Sequence, residues 1–345
     1  MSDKLKIGIV GVGAVGTVFA LLLKDKGYDV EITKKNTLGL TIDNNVNLEI
    51  NGAFGNRSYL VPYMQNNKFS NTKDVLFIFT KSCAVEEAFN DVKDYLSSNG
   101  VVVVVQNVFN YNELDKTLPH GRFVPIVIDF NAIRLDENHV KVLHGGHIHL
   151  GAISEESKVY LPFLKNILSC VSEVVVEDDM PSFVVSRFIL SNTISSVCAL
   201  TGYKLGKTLE IKRARKIFVA LIEEQVKTFK AAGIKIISYS ETLDYEQFVE
   251  KSFAGLRYRG KMFSRLIKQN GEMVSSTLRA LENKQPTELE SMCARVVELA
   301  KQHNIEVPYC EAVANMLSDV EMGKRGIYVE NLDDPIFIEL EKRIW

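Results

Sequence analysis

Apolar runs and amphipathic stretches alternate through the first half of the chain. "KIGIV" (6–10) is a strand pattern, and the residues from Ala14 to about Lys26 read as a helix. "DVEIT" (29–33) predicts the next strand, and "LGLTIDNNVNLEINGAFG" predicts short strands with turns. "VLFIF" (75–79) precedes a helix expected over roughly 84–97, and "VVVVVQ" (101–106) precedes another short one. "RFVPIVIDF" (122–130), "HVKVLHG" and "HIHLGAI" follow as strands. Apolar runs without alternation suit strands buried on both faces, as in a parallel sheet covered by helices. Strand–helix alternation is the pattern of a doubly wound sheet.

The pattern changes near "VEDDMPSF". Asp178 and Asp179 followed by Pro181 form a helix start signal. From there to about Lys324 the periodicity is mostly helical, as in "RKIFVALIEEQVKTFKAAG" (215–233) and "ELESMCARVVELAKQHN" (288–304), with Gly233 and Asn304 where helix-ending residues belong. The expectation is an α/β domain over 1–177 joined to an all-helical domain over 178–345.

Composition limits the setting. The 345 residues, 46% hydrophobic and 24% charged, can fill two ordinary cores. A net charge of -2 gives no electrostatic reason to expect nucleic acid or an anionic membrane as partner. The five cysteines (Cys83, Cys170, Cys198, Cys293, Cys310) include no CxxC pair, which reads as free thiols in a reducing compartment. "MSDKLKIGIV" runs into a strand pattern without an apolar signal core, and no purely apolar run approaches the length of a membrane span. These features set the expectation of a soluble, cytoplasmic protein.

Chemistry enters with "GIVGVGAVGTVFA". It places Gly11, Val12, Gly13, Ala14, Val15 and Gly16 in GxGxxG spacing between a strand and a helix, the context a dinucleotide-binding loop requires. The glycines allow a tight turn and close approach of a pyrophosphate, with the helix N-terminus facing the phosphates. The second strand ends in "ITKKNT": Lys34 and Lys35 stand where an NAD site would want a carboxylate. Two cations suit a 2′-phosphate, which favours NADPH; a solvated lysine pair is the plainer alternative. Lys81, at the end of an apolar strand, is either a solvated cap or a charge aimed into a site. His144, His147 and His149 lack a carboxylate or cysteine at ligand spacing, so no metal is expected. Arg257, Arg259 and Lys261 in "RYRGK" read as a solvated helix end.

The glycine loop, the strand ending in Lys81 and "VVVVVQN" ending in Asn107 occur in an order that resembles the ketopantoate reductase (2-dehydropantoate 2-reductase) family. "GLTI" (39–42), "HLG" (149–151), "VP" (307–308) and "STLRALENKQPTELE" extend the resemblance over nearly the whole chain. It implies a Rossmann-type domain followed by a helical domain like the C-terminal one of 6-phosphogluconate dehydrogenase. It also implies an active site in the cleft between the two domains.

Residue by residue, the resemblance gives Lys81 and Asn107 to the nicotinamide end and Lys35 to the 2′-phosphate. Ala132 matches a backbone contact to the cofactor. Asn192, Ser196 and Ser276 match substrate-binding positions, and Glu288 matches an acidic residue near the reacting groups. Lys81 and Glu288 are the catalytic candidates. A 2-oxo acid is the expected substrate, and a homodimer through the helical domain the expected assembly.

Departures from the family pattern are specific. The lysine that donates a proton to the forming alkoxide corresponds to Phe188, four residues before Asn192. Ser196 replaces a second substrate asparagine, Val108 replaces a glycine, and Ala280 and Ala294 replace an aspartate and a glycine. Phe188 cannot give a proton. Arg187 can stabilise an oxyanion but stays charged. Lys81, desolvated in a cleft, is the best alternative acid, with Glu288 tuning it or acting with a water. The implied reaction is NADPH-dependent reduction of 2-dehydropantoate. Reduction of another 2-oxo acid, an opine-type reaction on an imine, and a non-catalytic NADPH-binding regulator are the alternatives.

Overall fold

The computed structural model describes residues 4–34, 45–65, 67–105, 114, 116–238, 243–285, 287 and 292–344. Two compact units result, Met1–Pro181 and Ser182–Trp345, so the division falls four residues beyond the junction expected at 177. The helix start signal explains the offset: Asp178 and Asp179 precede a helix over Met180–Thr201, with Pro181 in its first turn.

The first unit is built on one sheet. Its strands, in chain order, are β1 (Lys6–Val10), β2 (Asp29–Lys34), β3 (Asn45–Gly52), β4 (Arg57–Gln65), β5 (Lys73–Ile78), β6 (Leu96–Val105), β7 (Phe123–Ile128), β8 (Asn131–Arg134), β9 (His139–His144), β10 (Ile148–Leu150) and β11 (Val174–Val176). They lie in the order β11-β10-β7-β6-β5-β1-β2-β4-β3-β9-β8. From β7 through β6, β5, β1 and β2 to β4 every neighbouring pair is parallel. This is the Rossmann-type core that the apolar runs predict. β4, β8 and β11 have no counterpart among the expected strands.

Helix α1 (Ala14–Asp25) follows β1 and is buried without a break from Gly16 to Leu23. A helix on an open sheet keeps a polar face; one apolar all round must be covered on every side. Here β3, β4, β8 and β9 close over α1, packing Leu48, Ile50, Val61, Val140 and Val142 into the same core as Phe19 and Leu21. The outermost strand of the sheet is thereby brought to the helix that starts at the glycine loop.

The helix expected over 84–97 is shorter. A 3-10 turn over Ser82–Ala84 leads into α2 (Val85–Val92), a second turn covers Lys93–Tyr95, and Leu96 already belongs to β6. The cause is strand pairing: Leu96 sits opposite Lys73, and that register overrides the apolar spacing that would continue the helix.

Lys73 itself is fully buried. Its ammonium meets Glu31 at 2.9 Å, and Glu31 is also held by the Ser70 hydroxyl and, at 3.0 Å, by the Ser70 N–H. Glu31 sits on β2 and Lys73 at the start of β5, with β1 between them. Gly8 makes the crossing possible: a Cβ there would lie 3.0 Å from Lys73 Cγ and 2.7 Å from Leu76 Cδ2.

In the second unit every element described is helical. After α3 (Leu161–Leu168) in the first unit come α4 (Met180–Thr201), α5 (Leu205–Glu210), α6 (Lys212–Ala231), α7 (Tyr245–Val249) and α8 (Phe253–Asn270). The series ends with α9 (Ser276–Glu282), α10 (Cys293–Gln302), α11 (Pro308–Glu321) and α12 (Pro335–Ile344). Gly233 (φ 75°) and Asn304 (φ 55°) take the left-handed conformation that ends α6 and α10.

By length and hydropathy α4 could cross a membrane, which the reading of apolar runs did not anticipate. However, 78% of its most apolar window is buried inside the protein, as in a core helix. "RYRGK" also differs from expectation. It lies inside α8, and Arg259 is buried with its guanidinium on the Glu250 carbonyl at 3.0 Å. Arg257 and Lys261, four apart, share the exposed face.

Candidate active site

In the first unit the chain runs from β1 to β2 and β4 on one side, then returns to β5 on the other. That makes the C-terminal ends of β1 and β5 a topological switch point, where open α/β sheets bind ligands. The glycine loop leaves β1 there, and Thr80 and Lys81 leave β5. Hydrogen bonds from Phe79 N to Val10 O (2.8 Å) and from Gly11 N to Thr33 O (3.2 Å) hold the loop between its neighbours.

Each glycine has its own reason. Gly11 takes φ 89°, and a Cβ there would lie 3.0 Å from the Phe79 carbonyl carbon and 3.2 Å from Thr80 N. At Gly16 a Cβ would stand 2.3 Å from Gly11 O, so loop and helix could not approach as they do. Among the described residues a Cβ at Gly13 would meet nothing within 4 Å. Gly13 is the N-cap of α1 and supplies no side-chain cap to the first-turn N–H groups. Thr80, against the loop, keeps a buried hydroxyl without a hydrogen-bond partner among the described residues. An open cradle, uncapped donors and an orphaned hydroxyl fit the pyrophosphate and adjoining sugar of a dinucleotide.

The other predicted residues of this unit fall around the same loop. Lys81 caps the 3-10 turn with extended backbone, its side chain exposed. Lys34 is exposed at the end of β2. Ala132 lies on β8, against the core that contains α1. Arg134, which the sequence reading missed, also lies on β8 and donates to the Val12 carbonyl at 2.6 Å. Lys35, Asn107, Val108 and Glu288 lie outside the described residues, as does "GLTI".

Elsewhere in the unit, His149 is clamped between two carboxylates, Nε2 to Asp129 at 2.9 Å and Nδ1 to Glu177 at 2.7 Å. The carboxylates judged missing from sequence spacing arrive from the ends of neighbouring strands. Burial opposes the charged ring, but the hydrogen bonds to Asp129 and Glu177 outweigh it and raise the His149 pKa. Among the described residues no group of three or more His, Cys, Asp or Glu is placed to hold a metal ion.

In the second unit, Phe188, Asn192 and Ser196 recur every four residues and so form one face of α4. That face meets α6 and α10. Phe188 is 3% exposed and packs edge-on to Phe229, ring centroids 5.9 Å apart. Asn192 donates to Gln225 Oε1 at 2.8 Å, and its own carbonyl accepts from Ser196 Oγ (3.4 Å) and Cys293 Sγ (3.6 Å). Gln225 in turn donates to Thr193 Oγ1 at 2.8 Å. The polar groups of Asn192 and Ser196 are thus engaged within their own unit.

The cluster continues to Cys310 and Glu224. Glu224 accepts from the backbone N–H groups of Tyr309 (2.9 Å) and Cys310 (2.7 Å), serving as the cap of α11 from a neighbouring helix. Burial pushes its carboxyl up to about 7 against those hydrogen bonds. The Cys310 thiol is raised by its bond to Cys293 and by burial. Ser276, by contrast, is exposed at the start of α9, where Ser275 takes the capping role by accepting from Leu278 N at 3.1 Å. Gln225 and Glu224 had no local sequence signal; both sit inside an ordinary amphipathic pattern.

Comparison with known proteins agrees with this geometry. Residues 7–155 match the family model for ketopantoate reductase PanE/ApbA, and residues 184–321 match its C-terminal counterpart. A 2-dehydropantoate 2-reductase of Aquifex aeolicus (strain VF5) is 24% identical over 334 residues, 92% of this chain and 97% of that protein. Among solved structures, a PanE/ApbA family ketopantoate reductase from Ralstonia eutropha JMP134 superposes with a TM-score of 0.77 at 17% identity, covering 93% and 99% of the two chains. D-mandelate dehydrogenase with NADH and anilino(oxo)acetate gives the same TM-score at 16% identity, covering 92% and 99%. With both domains matched in order along most of its length, the chain belongs to the ketopantoate reductase family of oxidoreductases.

Proposed function

We propose that the protein reduces 2-dehydropantoate to pantoate with NADPH, a step of pantothenate and coenzyme A synthesis in the cytoplasm. The observation that carries this reading is the glycine loop at the β1/β5 switch point, with Thr80 against Gly11 and its buried hydroxyl unpartnered among the described residues. The nicotinamide cofactor, when bound, supplies hydride to the ketone carbon. Gly11 to Gly16 give the loop its shape and its N–H donors, and Ala132 offers a backbone contact. Lys34 and Lys35 favour the 2′-phosphate.

Lys81 brings a cation and its N–H donors to the oxygen that becomes the alkoxide, and it or a water provides the proton. Phe188, sealed against Phe229, gives no proton. Asn107 and Ser276 are assigned to the substrate, and Glu288 to the charge balance around Lys81. Asn192 and Ser196 act on the substrate side through the network with Gln225 and Cys293. The assembly assigned is a homodimer.

Reduction of an aryl 2-oxo acid is the second reading, favoured by the D-mandelate dehydrogenase likeness. NADPH and NADH oxidation should be followed against a panel of 2-oxo acids that includes ketopantoate and phenylglyoxylate. Ketopantoate turnover with NADPH at the highest kcat/KM is the expected result. Preferred turnover of phenylglyoxylate selects the second reading. Cofactor binding without turnover on any keto acid leaves a regulator. Lys81→Met is expected to lower kcat by about 100-fold while cofactor affinity changes far less.

A further inference from the structure

The bond between Arg134 and Val12 joins residues 122 positions apart, and it does so at the centre of the glycine loop. Arg134 ends β8, the last strand of the sheet order. It reaches the loop because β3, β4, β8 and β9 wrap around α1. At 2.6 Å its Nη2 donates to the Val12 carbonyl, a charge-assisted contact.

A trans peptide is planar, and its C=O and N–H point in opposite directions. Holding the Val12 carbonyl therefore also fixes the direction of the Gly13 N–H. Among the described residues a Cβ at Gly13 would meet nothing within 4 Å. The guanidinium thus fixes the Gly13 N–H to point away from itself, on the side of the peptide opposite Arg134. Among the described residues Arg134 has no ion-pair partner, so its charge adds to the positive potential of the loop and of the α1 N-terminus.

We propose that Arg134 is a positioning residue for the pyrophosphate of a nicotinamide dinucleotide, acting through the Val12–Gly13 peptide and through its charge. This rests on the reading of the glycine loop as the cofactor site. A brace that merely ties β8 to the loop is the rival role. It predicts lower thermal stability with cofactor affinity unchanged.

The experiment compares wild type with Arg134→Lys, Arg134→Gln and Arg134→Met by NADPH titration at several salt concentrations, with steady-state kinetics alongside. Arg134→Met is expected to raise the NADPH Kd about 10-fold or more, the scale of one charge-assisted bond. Its binding should also depend less steeply on salt. KM for NADPH should rise in step, while kcat at saturating cofactor stays within about 3-fold. Arg134→Lys restores the charge and should recover part of the affinity; Arg134→Gln, a donor without charge, should recover less.

An unchanged Kd in Arg134→Gln and Arg134→Met, with only a lower melting temperature, overturns the proposal. So does a fall in kcat with KM unaltered. If Arg134→Met does not fold, Arg134→Gln decides by the same criteria. Failure of the wild type to bind NADPH or NADH is a different result, which overturns the cofactor reading itself.

Discussion

Glu224→Gln isolates one buried charge. The carboxylate holds Tyr309 N and Cys310 N with its two oxygens while burial opposes its ionisation, and the carboxyl lies at about 7 against an ordinary 4.5. In the folded state the group binds its proton more tightly than in the unfolded chain. Its contribution to stability is therefore fully present below the unfolded value, falls as pH rises between the two, and is lost above the folded one. That difference corresponds to about 3 kcal/mol over the whole window.

Near pH 5 the folded carboxyl is protonated, so like glutamine it offers one good acceptor to the two N–H groups, and the exchange costs little there. The variant should be close to wild type in stability near pH 5 and more stable near pH 8, where wild type must bury a carboxylate, by up to about 3 kcal/mol. Urea unfolding followed by far-ultraviolet circular dichroism at both pH values measures this. The difference between the two proteins at each pH cancels the carboxylates they share. Parallel pH profiles for wild type and variant would refute a Glu224 carboxyl raised by burial.

Lys73→Met should destabilise by about 3–5 kcal/mol in chemical denaturation because Glu31 is left buried and unpaired, and adding Glu31→Gln should recover much of the loss. His149 has a raised pKa, so its contribution is present below an unfolded value near 6.5 and is lost as pH rises through the folded one; its ring signals in NMR should titrate above those of a free imidazole. Gly16→Ala places a methyl 2.3 Å from Gly11 O and should weaken NADPH binding by about 10-fold or more while the helical signal persists. Phe188→Lys should lower the melting temperature, since burying an ammonium beside Phe229 costs several kcal/mol unless it is paired; an unchanged value would show that the position is open to solvent.

What the sequence revealed was local. β1, the glycine loop, α1 and β2 are contiguous, and their signals are an apolar run, three spaced glycines and a helix pattern. Lys81 drew attention because it stands three residues past the end of β5. The missed features depend on register between distant strands. Glu31 and Lys73 meet only because β1, with Gly8, lies between β2 and β5. Asp129 and Glu177 reach His149 from 20 and 28 residues away. No periodicity carries such pairings, since a polar residue on a buried strand looks the same with or without its partner. α1 gave one indirect clue: an unbroken apolar helix predicts a cover on both sides, and the strands that supply it include the one bearing Arg134.

The helical unit shows why a motif matched along the chain fixes a helix face but not what that face meets. Phe188, Asn192 and Ser196 share a stripe by the arithmetic of 3.6 residues per turn. If the family's lysine stood at 188, a charge there would need a partner or water, and the stripe would have to open toward one. Phenylalanine removes that requirement, and here the ring packs on Phe229 with Gln225 bonded to Asn192 one turn along. Cys293 and Ser196 complete the seal. Phe188 and the closed polar network behind it therefore form one packed unit. A single lysine restored at 188 would meet Gln225 already committed to Asn192 and Thr193. Giving an ammonium at 188 a partner or water thus requires replacing Phe229 and Gln225 together with Phe188.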